Sequence, residues 1–232
     1  MSMYQSGEYL EKNPRWHAAD SPWKAAQILK MIRRQNLNPA TVCEVGCGAG
    51  EILNRLHAEL PATNFFGYEV SPQAYEICSA KTKERLQFRL GDLLETEERF
   101  DLLLCIDVFE HVPDYLSFLE RLRGRASRFI FHIPLDLSAL SLLRPARLMK
   151  TRYGVGHLHM FTAETALAVL KDTGYETLDS FFTAGGLELE KNQKRLRTVL
   201  ANLPRRVLGK FSPRLAARIL GGYSLLVFAK PR

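Results

Sequence analysis

The amino-acid sequence predicts an α/β fold built on a Rossmann-like, doubly wound and mostly parallel sheet. The first indication is a β-branched segment, Thr41–Val45, that runs into glycines at positions 46, 48 and 50 and then into a helical pattern. A strand, a glycine turn and a helix in this order form the ligand-binding corner of open α/β sheets. The second is the alternation of short apolar strand patterns with helical patterns along the 232 residues, which is typical of βαβ units.

The N-terminal half supplies four predicted strands. A helix over Pro22–Gln35 precedes them, with Ser21 as its N-cap and a proline at its first position. The strands are Thr41–Val45, Asn64–Val70, Leu86–Leu90 and Phe100–Ile106, each a short apolar or alternating run. A helix over Glu51–Leu60 and further helical patterns fill the intervals. Helical connections between strands predict parallel pairing with right-handed crossovers.

The C-terminal half continues the same alternation. A fifth strand is predicted at Arg128–Ile133, a helix near Ala163–Thr173, and a sixth strand at Tyr175–Thr183. The last strand is Tyr223–Ala229, after a long basic segment.

The glycine turn admits two ligand classes. The dinucleotide-binding fingerprint Gly-x-Gly-x-x-Gly/Ala needs its third glycine at position 51, which is Glu in this chain. The turn instead has the pattern Glu-x-Gly-x-Gly-x-Gly, with Glu44 two residues before Gly46. A tight turn without a ligand is a third interpretation, since glycines allow positive φ angles wherever the chain bends sharply.

Acidic residues follow the next strands in the same way. Glu69 lies 19 residues after Gly50, and a carboxylate at this place commonly binds the ribose hydroxyls of a nucleotide. Asp92 follows the third strand, and the fourth runs into the segment Asp107–Asp114. Structural interpretations stay open: Glu69 as a solvated strand end, Asp92 as a turn former and Asp107 as a helix cap.

Together these four motifs resemble those of the class I S-adenosylmethionine-dependent methyltransferases, in their order and spacing. Residues 107–114 are similar to the fourth motif of the small-molecule branch, which includes ubiquinone-type O-methyltransferases. The resemblance is specific over Thr41–His111 and looser through Thr183. It implies S-adenosyl-L-methionine as the cofactor and a seventh strand antiparallel to the others. The cofactor-binding residues that it implies are Glu44, Gly46, Cys47, Gly48, Gly50, Glu69, Val70, Asp92, Leu93 and Asp107.

The resemblance also implies individual roles. The acidic residue before the glycines lies near the amino end of the methionine portion in that family, so we expect Glu44 there. The Asp of the Gly-Asp-Leu segment holds the adenine, so we expect Asp92 to accept from its exocyclic amine.

Histidines are the candidate catalytic groups, because a hydroxyl or amine acceptor benefits from a base that titrates near neutral pH. His111 lies just past the fourth strand, at the edge where ligands bind in open α/β sheets. His157 and His159 belong to a Gly-His-x-x-x-Phe-Thr segment that resembles one bordering the acceptor pocket in this branch. Residues 110–111 can equally start an ordinary helix. We expect His132 to be structural, and we expect no metal site, since a His-x-His spacing alone is poor evidence for one.

The composition suits a protein of a reducing compartment. No apolar run approaches about 18 residues, and residues 1–12 lack the basic and apolar blocks of a signal peptide. The four cysteines form no Cys-x-x-Cys pair, which favours buried thiols over a disulfide framework or a zinc site. We therefore expect a cytoplasmic protein.

We expect one methyltransferase domain over residues 1–232. Its parts are an N-terminal flap and helix (1–40), a cofactor-binding core (41–133), an insertion (134–156) and a basic helical insertion (187–222). The flap contains Trp16 and either covers the cofactor cleft or simply docks on the domain.

The excess of basic over acidic residues comes from one segment of the chain. The segment Lys191–Arg218 holds nine of the 32 basic residues and none of the 25 acidic ones, with apolar residues interleaved. Such a helix pair can lie on an anionic membrane surface, bind a phosphorylated or nucleic-acid substrate, or form a cap whose basic face is merely solvated. We favour membrane contact at the inner face over nucleic acid, because no nucleic-acid module is recognisable.

The sequence therefore predicts an enzyme that transfers a methyl group from S-adenosylmethionine to a small or lipid-linked acceptor, at oxygen. The alternatives are a non-catalytic, methyltransferase-like binding or scaffold module and an RNA methyltransferase that uses the basic segment. A nicotinamide-dependent dehydrogenase is disfavoured by Glu51.

Overall fold

The centre of the molecule is one seven-stranded sheet. A computed structural model describes residues 19–189 and 196–232, with side chains from residue 202 onward in the second segment. The strands are β1 (Thr41–Val45), β2 (Asn64–Glu69), β3 (Leu86–Leu90), β4 (Phe100–Ile106), β5 (Ala126–Pro134), β6 (Tyr175–Thr183) and β7 (Ser224–Pro231). Their order in the sheet is β3-β2-β1-β4-β5-β7-β6.

Strand direction confirms the predicted fold class. Strands β1 to β5 pair in parallel, whereas β7 runs antiparallel to both of its neighbours, β5 and β6. The chain leaves β1 towards β2 and β3 on one side, and then crosses to β4 and β5 on the other. This reversal places a topological switch point between β1 and β4, where open α/β sheets bind ligands.

Helices cover both faces of the sheet. They are α1 (Ser21–Arg34), α2 (Glu51–Glu59), α3 (Pro72–Ser79), α4 (Tyr115–Leu122), α5 (Ala139–Leu142), α6 (Pro145–Gly154), α7 (Ala163–Asp172), α8 (Gly185–Glu188), α9 (Leu196–Phe211) and α10 (Pro213–Leu220). Apolar residues of α1, α2 and α3 form one core with the sheet. Those of α4, α7 and α10 form the other core. The doubly wound arrangement follows from these two cores.

Several boundaries differ from the predicted ones. Helix α1 begins at Ser21, and its N-cap is Asp20, so the prediction of Ser21 as N-cap is wrong. Strand β5 is longer than predicted because Ala126 pairs with Phe100 of β4 and Pro134 pairs with Ser224 of β7. Partner strands, which a local pattern does not reveal, therefore set the ends of β5.

The two predicted insertions contain helices that contact each other. Residues 134–156 contain α5 and α6, and residues 187–222 contain α9 and α10. Helix α10 packs against both α5 and α9. Within the described part of the chain, no helix is both long and apolar enough to cross a membrane. The predicted aromatic flap lies outside the described residues up to residue 18.

Candidate active site

A cavity of about 510 Å³ lies at the carboxyl ends of β1 and β4, at the switch point of the sheet. Its lining brings together the glycine turn, the end of β2, the residues after β4 and three histidines. The predicted site residues that line it are Glu44, Gly46, Cys47, Gly48, Glu69, Val70, Asp107, His111 and His157. Gly50, Asp92, Leu93 and His159 are not part of this lining.

The glycine turn depends on its glycines for backbone conformation and for space. Gly46, Gly48 and Gly50 have φ angles of 65°, 53° and 71°, a region that L side chains rarely adopt. A Cβ atom on Gly50 would lie 2.6 Å from the Phe88 ring, and one on Gly46 would lie 3.0 Å from Val108. Gly50 therefore allows α2 to pack against β3, while the turn before it contributes to the cavity.

Glu44 offers an unpartnered buried oxygen to the cavity. The residue is 2% exposed, and its Oε2 atom has no hydrogen-bond partner among the described residues. Burial raises the pKa of Glu44 well above its usual range, and the charge of Lys24 opposes this only in part. Since an unpaired buried carboxyl is costly, this oxygen fits a cationic ligand group. The ammonium of the methionine portion of S-adenosylmethionine is such a group.

Glu69 is held in place by the backbone. Its Oε2 atom accepts from the N–H of Gly48 at 2.7 Å, and its Oε1 atom accepts from the N–H of Ser71 at 2.8 Å. Burial raises the pKa of Glu69, and these backbone donors oppose the rise in part. Each carboxylate oxygen has a second lone pair, so the oriented group can also accept from the hydroxyls of a ribose.

Asp92 and Leu93 occupy a different environment. The Oδ1 atom of Asp92 accepts from the N–H of Leu94 at 2.8 Å and caps a short 3₁₀ turn. The side chain of Leu93 is buried in the core. This geometry matches the turn-former interpretation of Asp92, and the adenine-binding role of the two residues stays a prediction.

Asp107 is the centre of a buried charge cluster. Its two oxygens lie 2.6 Å from Lys24 Nζ and 2.5 Å from His132 Nδ1. Burial raises the pKa of Asp107, but the charges of His132 and Lys24 outweigh it and hold the pKa far below its usual range. Burial lowers the pKa of Lys24, but Asp107 outweighs this effect and the pKa is raised. Asp107 does not cap the turn that follows, whose N-cap is Val108.

His132 belongs to the site rather than to the core alone. It lines the cavity, and its Nε2 atom lies 2.9 Å from the hydroxyl of Thr183. The expectation that His132 is structural stays a prediction. Lys24 also lines the cavity, and sequence reasoning missed it because no local motif marks a lysine on α1 as a neighbour of Asp107.

Two of the three candidate catalytic histidines come together. The ring centroids of His111 and His157 lie 4.8 Å apart. His111 Nδ1 lies 2.9 Å from the carbonyl oxygen of Gly156, and His157 Nδ1 lies 2.7 Å from Asp136 Oδ2. His159 instead lies against Tyr115, with its Nε2 atom 3.1 Å from a backbone oxygen. Asp136 is a further site residue that the sequence did not indicate.

Glu110 lies beside this histidine pair. It is 1% exposed, and neither of its carboxyl oxygens has a hydrogen-bond partner within the described ranges. Ligand atoms of Glu110, His111 and His157 lie within 4.8 Å of one another, a set of donors that can hold a divalent cation. The sequence prediction weighed the pair of His157 and His159, whereas the structure assembles this different set.

Protonation of His111 is disfavoured. Burial, together with the neighbouring His157, lowers the pKa of His111 to about 4. A neutral imidazole at pH 7 has one nitrogen able to accept a proton or bind a metal. The Nδ1 contact with a carbonyl oxygen assigns the ring proton to Nδ1 and the accepting lone pair to Nε2.

Comparison with known proteins agrees with this geometry. The model of a family described as "Methyltransferase domain" matches residues 16–180. The chain belongs to this methyltransferase family. The match covers β1 to β5 and the first six residues of β6, and with them the whole glycine turn and both histidines of the pair.

Curated relatives match part of the chain. A ubiquinone biosynthesis O-methyltransferase from Xanthomonas campestris pv. campestris (strain B100) is 29% identical over 122 residues, which are 46% of this chain and 49% of that protein. A trans-aconitate 2-methyltransferase from Deinococcus radiodurans is 31% identical over 83 residues, which are 36% of this chain and 32% of that protein. The chain thus spans about half the length, or less, of these two relatives.

Solved structures share the fold. A magnesium protoporphyrin IX methyltransferase from Synechocystis PCC 6803 with bound SAH has a TM-score of 0.62 at 16% identity, covering 94% of this chain and 85% of that chain. A SAM-dependent methyltransferase from Geobacter sulfurreducens with S-adenosyl-L-homocysteine has a TM-score of 0.61 at 18% identity and 91% coverage of both chains. The predicted fold and family are confirmed, and both neighbours hold the demethylated form of the predicted cofactor.

Proposed function

We propose that this protein transfers a methyl group from S-adenosylmethionine to an oxygen atom of a small or lipid-linked acceptor. The observation that carries the proposal is the buried, unpartnered oxygen of Glu44 beside the positive-φ glycine turn. When bound, S-adenosylmethionine supplies a methyl group on a sulfonium, which a nucleophile can displace. The ubiquinone and trans-aconitate methyltransferases among the relatives support a small acceptor.

Different residues would bind different parts of the cofactor. Glu44 would bind the ammonium of the methionine portion, and Glu69 would accept from the ribose hydroxyls. Asp92 and Leu93 do not line the cavity, but the family resemblance implies that they would bind the adenine edge. Lys24 carries three N–H donors, of which Asp107 takes one, so the others can bind the methionine carboxylate. Asp107 would act as a positioning residue for Lys24.

His157 is the better placed base. Its Nδ1 contact with Asp136 assigns the ring proton to Nδ1 and leaves Nε2 as the acceptor of the proton from the acceptor hydroxyl. The carboxylate of Asp136 would then stabilise the imidazolium that forms. His111 would assist the same proton transfer, since its ring centroid lies 4.8 Å from that of His157.

Turnover on a panel of small hydroxylated acceptors tests the proposal. Transfer of labelled methyl from S-adenosylmethionine should be detectable with the wild-type protein and should fall about a hundredfold in His157→Ala. Cofactor binding by both proteins without any transfer by either would favour the scaffold alternative. Methylation at nitrogen rather than oxygen, read from the product mass spectrum, would contradict the assigned acceptor atom.

We further propose peripheral contact with an anionic membrane, at the inner face if the protein is cytoplasmic. Large apolar side chains are exposed at the end of α5 and at the end of α9: Leu142 (63%), Leu143 (80%) and Phe211 (85%). Helices α6, α9 and α10 also carry basic residues, which favours anionic lipids.

Vesicle flotation separates this proposal from a merely solvated basic face. Wild-type protein should float with phosphatidylglycerol vesicles at low salt and should not float with phosphatidylcholine vesicles. The Leu143→Ser/Phe211→Ser variant should lose the interaction. Equal flotation of both proteins, or none with either lipid, would contradict membrane contact.

A further inference from the structure

A second cavity, of about 260 Å³, adjoins the cofactor cavity. The two cavities share Pro134, Gly185, Gly186 and Ser224 in their linings. The remaining walls of the second cavity come from the segment after β5, from α5 and α6, and from the link between α9 and β7. The same two insertions that extend the minimal fold therefore build this cavity.

The titratable side chains of the second cavity are mostly cationic. Arg144, Arg147 and Arg205 line it, together with Asp136 and Tyr223. The carboxylate of Asp136 lies 2.7 Å from His157 Nδ1, so it interacts with the histidine of the first cavity rather than with the arginines of the second. The net charge that remains for a ligand in the second cavity is positive.

Arg205 belongs to the wall of the cavity. Its guanidinium donates to the carbonyl oxygens of Leu220 and Gly221 and to the side chain of Asn202, at 2.8 to 3.2 Å. These bonds tie α9 to the end of α10. The wall opposite α6 is therefore held in a fixed position.

Arg144 and Arg147 are differently placed. Both are exposed, and no ion pair in the described part of the chain includes either of them. Both lie at the start of α6, whose N-cap offers no side-chain acceptor to the first turn. Guanidinium groups bind carboxylate and phosphate through paired N–H donors.

We propose that the second cavity binds the anionic group, a carboxylate or a phosphate, of the methyl acceptor, with Arg144 and Arg147 as its ligands. This inference rests on the proposed function, because the acceptor oxygen must lie in the first cavity near His157. Asp136 lines the second cavity and contacts His157, so it marks the junction. The substrate class is then a molecule with a nucleophilic oxygen at one end and an anionic group at the other.

An NMR titration at constant ionic strength tests the site directly. The protein, with and without S-adenosylhomocysteine, is titrated with inorganic phosphate and separately with succinate, and the backbone amide signals of Arg144 and of residues 146–151 are followed. The test variant is Arg144→Gln/Arg147→Gln. The matched control is Arg128→Gln/Lys150→Gln, which removes two exposed positive charges that do not line the cavity.

Saturable shifts with either anion are expected, and the responding anion identifies the group that the acceptor carries. The test variant should bind that anion about tenfold more weakly or worse, and the control should bind it like wild type. Absence of saturable shifts with both anions, or unchanged binding by the test variant, would overturn the proposal. Binding of S-adenosylhomocysteine without anion binding would refute only this subsite, whereas failure to bind S-adenosylhomocysteine would refute the proposed function and the acceptor assignment with it.

Discussion

From the ion pair between Asp107 and Lys24 we predict that Asp107→Asn lowers the free energy of unfolding. The substitution keeps the size of the side chain, and asparagine tolerates the left-handed backbone at this position, where φ is 54°. It removes the charge that compensates Lys24 Nζ at 2.6 Å. Any loss of stability can therefore be assigned to the charge rather than to backbone strain or a cavity.

The size of the effect follows from the burial of the pair. Removing one partner of a buried ion pair costs about 3–5 kcal/mol. The side chains of Lys24 and Asp107 are 18% and 20% exposed, so water can reach Lys24 in part and we expect the lower end, about 3 kcal/mol. Urea unfolding at pH 7 measures this loss. The double variant Asp107→Asn/Lys24→Met should recover most of it, because it also removes the ammonium that the first substitution leaves without its carboxylate.

The same pair predicts a pH dependence with a definite sign. The folded pKa of Asp107 lies below its value in the unfolded chain, which is about 3.9. The stability contributed by its ionised form is therefore complete above about pH 4 and is lost as the pH falls below that value. The difference between wild type and Asp107→Asn should shrink in that range. A loss under about 1 kcal/mol at pH 7, or a double variant as unstable as the single one, would refute the reasoning.

Three further substitutions test the site. Gly50→Ala should lower the free energy of unfolding by about 2 kcal/mol or more, because φ is 71° and the new Cβ would lie 2.6 Å from a phenylalanine ring. Urea unfolding measures this loss. The control is Gly124→Ala, since nothing lies within 4 Å of a Cβ atom at that position. Glu69→Ala should weaken calorimetric binding of S-adenosylhomocysteine about tenfold or more, and unchanged affinity would remove the ribose assignment. His159→Ala should keep turnover near wild type because its ring lies outside the cavity, so a loss as large as that of His157→Ala would contradict the choice of base.

Local patterns predicted much of the scaffold. The strands β1, β3, β4 and β6 have the bounds that the sequence predicts. Of these, β1, β3 and β4 are short apolar or alternating runs that end at a glycine or an aspartate. The glycine turn and Glu69 also come together as predicted, since parallel strands bring their carboxyl ends to one edge of the sheet.

Long-range contacts explain what the sequence did not indicate. Lys24 and His132 reach Asp107 from α1 and from β5, and only the doubly wound packing of these elements brings them to one point. Asp136 contacts His157, which lies 21 residues further along the chain. His159 is two positions from His157, but its ring lies against Tyr115 instead. No periodicity in the local sequence indicates which way these side chains point.

The most direct test of the central claim is a calorimetric titration of the wild-type protein with S-adenosylmethionine, S-adenosylhomocysteine and NADH, repeated with Glu44→Ala. We expect saturable binding of both sulfur compounds at one site per chain and no binding of NADH. The variant should lose affinity clearly, because it lacks the buried Glu44 carboxyl that would bind the methionine ammonium. Binding of NADH alone, or binding of none of the three, would contradict the account.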